Sequence, residues 1–291
     1  MSSADSVLVD VRSLKKWFPV KRTLSEVIYA KAESFVRAVD DVSFKIEKGT
    51  VFVLAGESGS GKTTVARLIL RAIEPDAGNV FFNGMDITKL NERELKKFRI
   101  NAQMVHQDPY ASIDPRMRVN EAVMEPLIVH KIGSSRKEQE EMVLKALEEV
   151  RLEPAVDIAD RYPHMLSGGQ RQRVAIARAL VLKPKFIVAD EPVSMLDISV
   201  RAEILELMQN LQKKHNITYL YITHDLSTAR YIGKDIAIMY LGKIVEMGPI
   251  DKVLLNPQHQ YTQALIDAIS EPDPDNRFKE KIIRIKFETG T

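Results

Sequence analysis

The stretch "GESGSGKTT", residues 56–64, decides the fold. Gly56 to Thr63 meet the spacing G-x-x-x-x-G-K-[ST], in which successive backbone N–H groups and a helix amino terminus converge on an anion. Gly56, Gly59 and Gly61 let the backbone approach a phosphate closely, and Ser58, Ser60 and Thr64 complete the cradle. Lys62 would neutralise β- and γ-phosphate charge, while Thr63 would put its hydroxyl on Mg²⁺. A chance match on a glycine-containing turn is the alternative, and the flanking pattern argues against it.

Outward from the loop, "TVFVLAG" (50–56) reads as a continuous apolar strand. After the loop, Val65, Leu68, Ile69 and Ala72 recur every three or four residues, predicting a helix that Pro75 and Gly78 stop. "DVSFKI" (41–46) alternates as a half-buried strand, and "NVFFNGMDI" (79–87) holds an Asn83-Gly84 hairpin signal, so an antiparallel piece is expected. Asn91 with Glu94, and Ser135 with Glu138, read as capped helix starts. The second leads into Val143, Ala146, Leu147 and Val150, so residues 108–165 read as a mainly helical insert. "KFIVAD" (185–190), "ITYLYITHD" (217–225) and "DIAIMYLG" (235–242) are β-rich runs separated by helices. The fold expected is α/β: a P-loop NTPase core with a mixed, mainly parallel sheet, an antiparallel β subdomain and the helical insert.

The 291 residues, 45% hydrophobic, suffice for one large or two modest domains. Lys plus Arg at 42 against Asp plus Glu at 40 gives +2, without the basic footprint of a nucleic-acid binder. The absence of cysteine excludes disulfides, thiolate metal sites and cysteine nucleophiles. The start, "MSSADSVLVDVRSL", lacks the regions of a signal peptide, which predicts a cytoplasmic chain. Apolar runs such as "IAIMYL" are too short for a membrane span, so any membrane role must come through a partner.

"FIVADE" (186–191) is an apolar strand ending in two acids. Asp190 is placed to hold Mg²⁺, and Glu191 beside it could polarise an attacking water; alone, the pair could equally be a solvated strand end. "LSGGQRQRVAIARAL" (166–180) then puts Ser167, Gly168, Gly169 and Gln170 at the start of a helix continued by Val174, Ala177, Leu180 and Val181. That is a second anion-receptive helix terminus, and one nucleotide does not need two.

This signature resembles that of the ATP-binding cassette (ABC) family. The resemblance implies a head-to-tail dimer, each signature closing over ATP held by the other subunit's phosphate loop. Further motifs appear in order. Gln107 in "MVHQDPY" matches the Q-loop glutamine that meets Mg²⁺; Asp197 in "SMLD" matches the D-loop, with Met195 replacing the usual alanine. His224 in "YITHD" matches the switch histidine that contacts the γ-phosphate. Phe35 occupies the position where the family stacks an aromatic on adenine, although Tyr29, Trp17 and Phe18 could serve instead. Catalysis would rest on Glu191 as general base with Lys62, Gln107 and His224, and Mg²⁺ on Thr63, Gln107 and Asp190.

Within the family, "LKKWFPVKR", "AVDDVSF", "HQDPYASIDPRM" and "NPQHQYTQALIDAI" are similar to the oligopeptide/dipeptide importer ATPases. The last carries His259-Gln260-Tyr261-Thr262 in place of His-Pro-Tyr-Thr. Ile113 and Asp114 replace a common Leu-Asn on what is expected to be the permease-facing surface. The implied organisation is an ATPase domain over 1–255 and a C-terminal motif and tail over 256–291. The implied partners are two multispanning permease subunits, a second ABC ATPase subunit and a solute-binding protein, at the cytoplasmic face of the membrane. The alternative from another class is an ABC ATPase of a soluble metabolic complex, such as phosphonate degradation.

Overall fold

A strand apolar at every position must be covered on both faces, and the architecture supplies both covers. The structure, a computed structural model, describes residues 6–20, 35–108 and 113–269. In chain order it runs β1 (Val7–Pro19), β2 (Phe35–Glu47), β3 (Val51–Ala55), α1 (Lys62–Ile69), β4 (Ala77–Phe82), β5 (Met85–Asp86), α2 (Glu92–Asn101) and β6 (Ala102–Val105). The helical insert follows as α3 (Val119–His130), α4 (Arg136–Glu149) and α5 (Ala155–Ala159). Then come α6 (Gly168–Leu180), β7 (Phe186–Asp190), α7 (Ile198–His215), β8 (Thr218–Thr223), α8 (Leu226–Ile232), β9 (Asp235–Tyr240), β10 (Lys243–Pro249), α9 (Ile250–Leu255) and α10 (Gln260–Ile269).

Two sheets form. A six-stranded sheet has the order β10-β9-β3-β8-β7-β6, and a four-stranded sheet the order β2-β1-β4-β5. β3 pairs parallel with β8 and β9, β7 parallel with β6 and β8, and only β10 runs antiparallel. The small sheet is antiparallel throughout, with Asn83 (φ 49°) and Gly84 (φ 82°) forming the expected hairpin turn. Along β3, Val51, Val53 and Ala55 enter the core shared with the helices, while Phe52 and Leu54 enter the core shared with the antiparallel sheet. The period-two alternation of side chains divides one strand between two cores. Truncating a residue such as Leu54, which is fully buried, would cost about 2–5 kcal/mol.

Local signals explain most boundaries. Asn91 and Glu94 form a reciprocal capping box at α2. At α4 the Ser135 hydroxyl accepts from Glu138 N–H, but the Glu138 carboxylate reaches Ser134 instead of closing the box on Ser135. Val143, Ala146 and Leu147 of α4 are buried, and α3, α4 and α5 make residues 113–165 mainly helical, as expected.

Two expectations are corrected. The helix after the phosphate loop ends at Ile69 rather than near Pro75, and Ala72 is exposed. Arg71 adopts a left-handed conformation (φ 50°), and its N–H and that of Ala72 bond Leu68 O and Arg67 O, closing the last turn in a Schellman motif. The buried Arg71 guanidinium, donating to Ile87 O at 3.2 Å, holds a residue that is not glycine in that conformation. Ile113 is only 3% exposed and belongs to the core, so it cannot present a partner-facing surface; Asp114 is instead paired with Arg116 at 2.8 Å.

Candidate nucleotide site

Residues 56–61 join the end of β3 to the start of α1, so the loop lies at the carboxyl edge of a parallel sheet with a helix amino terminus behind it. Two glycines are demanded by close approach. A Cβ on Gly56 (φ 147°) would sit 2.2 Å from Met239 O, and one on Gly61 (φ 107°) 2.1 Å from Ala38 O. The β9–β10 turn locks the loop from the side: Gly242 N–H donates to Ser60 O at 3.0 Å, and Asp40 N–H donates to Gly242 O at 2.8 Å.

Lys62, 5% exposed, directs its ammonium to Gly56 O (2.8 Å), Glu57 O (2.7 Å) and Ser60 Oγ (3.4 Å). Burial pulls its pKa below the ordinary value, against the opposing charges of Glu191, Asp190 and Glu57. A buried cation held by neutral acceptors favours an anion beside it. Thr63 Oγ1 donates to Asp190 Oδ1 at 3.3 Å. Burial pushes the Asp190 carboxyl up, and neighbouring Glu191 adds to this despite the Thr63 hydrogen bond.

Glu191 follows β7 in a left-handed conformation (φ 47°), its N–H bonded to Ile222 O at 2.9 Å on the neighbouring strand. One carboxylate oxygen lies 3.1 Å from His224 Nδ1, and the other accepts from Gln107 Nε2 at 3.1 Å. Three motifs that lie far apart in sequence thus meet on one carboxylate.

A cleft of about 980 Å³ opens over these groups. Its walls include Phe35, Ser58, Gly59, Gly61, Lys62, Thr63, Thr64, Gln107, Glu191 and His224, while Ser60 and Asp190 are buried beneath. Of the aromatics considered for the base, Phe35 lines the cleft; Trp17 and Phe18 do not, Trp17 being engaged by the Arg37 guanidinium at 4.9 Å. Tyr29 lies outside the described residues. Sequence reasoning missed Arg37, Leu241, Leu265 and Ala268 on the walls. Leu241 (φ 45°) and Gly242 (φ 82°) form a tight turn, and only the glycine signalled it.

Ser167, Gly168, Gly169, Gln170 and Asp197 do not line this cleft. Ser167, itself exposed, caps α6 and closes a capping box with Gln170, while Gly168, Gly169 and Gln170 are half-buried. A Cβ on Gly169 would meet Val200 at 2.6 Å, so this helix start packs directly on the segment containing Asp197. Met165, Met195 and Ile198 are exposed beside it, Ile198 at 85%.

Residues 39–194 match the family described as "ABC transporter". The chain belongs to the ABC transporter family. Residues 245–289 of this cassette match a second family, "Oligopeptide/dipeptide transporter, C-terminal region". It is 47% identical over 256 residues to a putative peptide import ATP-binding protein of Brucella ovis, covering 88% of this chain and 80% of that protein. It is 45% identical over 278 residues to the oligopeptide transport ATP-binding protein OppF of Bacillus subtilis, covering 94% and 87%. The dimeric post-hydrolysis structure of the ATP-binding cassette MJ0796, bound to ADP and Pi, superposes with a TM-score of 0.72 at 30% identity, covering 84% of this ABC chain and 99% of that one.

Proposed function

We propose that this cassette hydrolyses ATP as the nucleotide-binding subunit of an importer, powering uptake of oligopeptides or dipeptides through a partner permease. The observation that carries this is the match of residues 245–289 to the oligopeptide/dipeptide transporter C-terminal region, attached to an ABC ATPase whose cleft gathers Lys62, Thr63, Gln107, Glu191 and His224. Among the described residues no helix is long and apolar enough to cross a membrane, so transport requires partners that do. The partners are two multispanning permease subunits, a solute-binding protein and a second ABC subunit, identical or related, with the cassette at the cytoplasmic membrane face. The exposed Met165, Met195 and Ile198 beside the signature favour a surface that another subunit covers.

In hydrolysis, Glu191 accepts the proton of the attacking water, and His224 and Lys62 stabilise charge on the γ-phosphate. Oriented dipoles from the partner subunit's signature complete the site, which makes turnover depend on closure. Asp190, the Thr63 hydroxyl and the Gln107 amide oxygen are hard oxygen donors of the kind Mg²⁺ takes alongside phosphates and water. A carboxylate whose pKa burial has raised, touching a hydroxyl at 3.3 Å, fits a cation there. Bound Mg²⁺ would neutralise charge on the β- and γ-phosphates.

The test is an ATP-supplemented pull-down from solubilised native membranes with tagged Glu191→Gln chain and mass spectrometry of what is retained. Two permeases with a solute-binding protein are expected. Recovery of soluble enzymes alone would move the chain to a metabolic complex.

A further inference from the structure

The C-terminal motif that marks the importer branch folds back onto the phosphate loop. Glu57 N–H, in the loop, donates to the Tyr261 hydroxyl at 3.1 Å, a contact spanning 204 positions. Tyr261 is 2% exposed, and its ring packs on Tyr240 with centroids 4.1 Å apart. Spacing by four and three puts Leu265 and Ala268 on the same face of α10 as Tyr261, and both line the nucleotide cleft. The start of this helix is held in place: Glu246 of β10 accepts from Gln258 N–H (2.9 Å) and His259 N–H (3.0 Å), and His259 Nδ1 accepts from Tyr261 N–H (3.1 Å).

Resting on the nucleotide-site assignment above, we propose that α10 is part of the nucleotide site. Tyr261 positions the phosphate loop, and Leu265 with Ala268 forms an apolar wall for the base and ribose of a nucleoside triphosphate. The Gly56–Glu57 segment is pinned from two sides, its carbonyls by the Lys62 ammonium and its N–H by the Tyr261 hydroxyl. A loop ordered before the anion arrives spares binding the cost of ordering it. Leu265 and Ala268 share the cleft with Phe35 and Leu241, which places apolar surface from both ends of the chain around one volume.

The experiment compares equilibrium binding of ATP and of inorganic tripolyphosphate, by titration calorimetry, to the full chain and three variants. Tyr261→Phe keeps the ring contact with Tyr240 and removes the acceptor, so it should weaken both ligands about 3–10-fold. Leu265→Ala should weaken ATP by a similar factor of about 3–10 yet leave tripolyphosphate unchanged, because only the base and ribose touch that wall. In steady state both should raise KM with little change in kcat, the mark of a lost uniform binding contribution, which a merely structural defect would not give. Wild-type affinity for both ligands in Tyr261→Phe overturns the positioning role, and wild-type ATP affinity in Leu265→Ala overturns the wall. Lys62→Ala separates the two levels: if it binds ATP as wild type does, the nucleotide-site assignment itself falls. Thermal melts check folding, and Leu265→Ala leaves the Tyr261 hydrogen bond in place should Tyr261→Phe fail to fold.

Discussion

His224 Nδ1 stands 3.1 Å from the Glu191 carboxylate, whose second oxygen is held by Gln107. Replacing Glu191 by Gln keeps a side chain of the same shape but removes its capacity to take a proton. Turnover should fall about 10²–10⁴-fold while ATP binding persists. If His224 acts through the same site, His224→Ala in that background should add far less than it does alone. Phosphate release by the two single variants and the double variant decides this; normal turnover in Glu191→Gln would remove the carboxylate from the mechanism.

Gly61 and Gly59 share a left-handed backbone but differ in surroundings. Ala at Gly61 would drive its Cβ to 2.1 Å from Ala38 O, a backbone atom that cannot swing aside, whereas nothing lies within 4 Å of a Cβ at Gly59. Gly61→Ala should therefore cost more than the roughly 1–3 kcal/mol of left-handed strain alone, and Gly59→Ala no more than that strain. Differential scanning fluorimetry should show the larger drop in Tm for Gly61→Ala. Equal drops would mean that the close approach to Ala38 does not exist in solution.

These two cases show where sequence is informative. The loop spacing, the alternation in β2, the two-faced burial of β3 and the Asn91–Glu94 box are local patterns, each written in residues a few positions apart. The Schellman end at Arg71 was hidden because its left-handed residue is neither glycine nor asparagine; a buried guanidinium reaching Ile87 O stabilises it from outside the helix. Phe35, Lys62, Gln107, Glu191 and His224 could be singled out by motif, and the cleft brings them together. Leu265 and Ala268 could not: Leu265 is a core residue, 7% exposed, and only the path of the chain shows that it and the exposed Ala268 also border the cleft.

Glu246 provides a pH signature for the docking of α10. Burial works to raise its pKa, but hydrogen bonds from the Gln258 and His259 N–H groups oppose this and hold it below its ordinary value. A depressed carboxyl favours the ionised native form. Its contribution to stability is thus fully present above the ordinary value of 4.5 and is lost as pH falls through the native pKa. The difference in Tm between wild type and Glu246→Gln should stay constant at neutral pH and narrow below that range. A difference that widens on acidification would contradict the assignment.

Gly168 allows dimer closure to be tested without disturbing the monomer. A Cβ there would meet only Leu196, at an ordinary 3.5 Å, so Gly168→Asp should fold. An acidic group in the first turn of α6 also complements the helix dipole, so Tm should hold or rise slightly. Because the signature does not line its own cleft, the monomer should bind ATP as tightly as before. In an assembled dimer, however, the new carboxylate would face the partner's γ-phosphate, where like charges at close range repel. Where the second subunit is an identical copy, the Glu191→Gln chain is expected to dimerise with ATP in light scattering, and the Glu191→Gln, Gly168→Asp chain to remain monomeric at the same ATP occupancy. A dimer that forms equally well with the aspartate would place the partner's phosphate elsewhere and sink the head-to-tail arrangement.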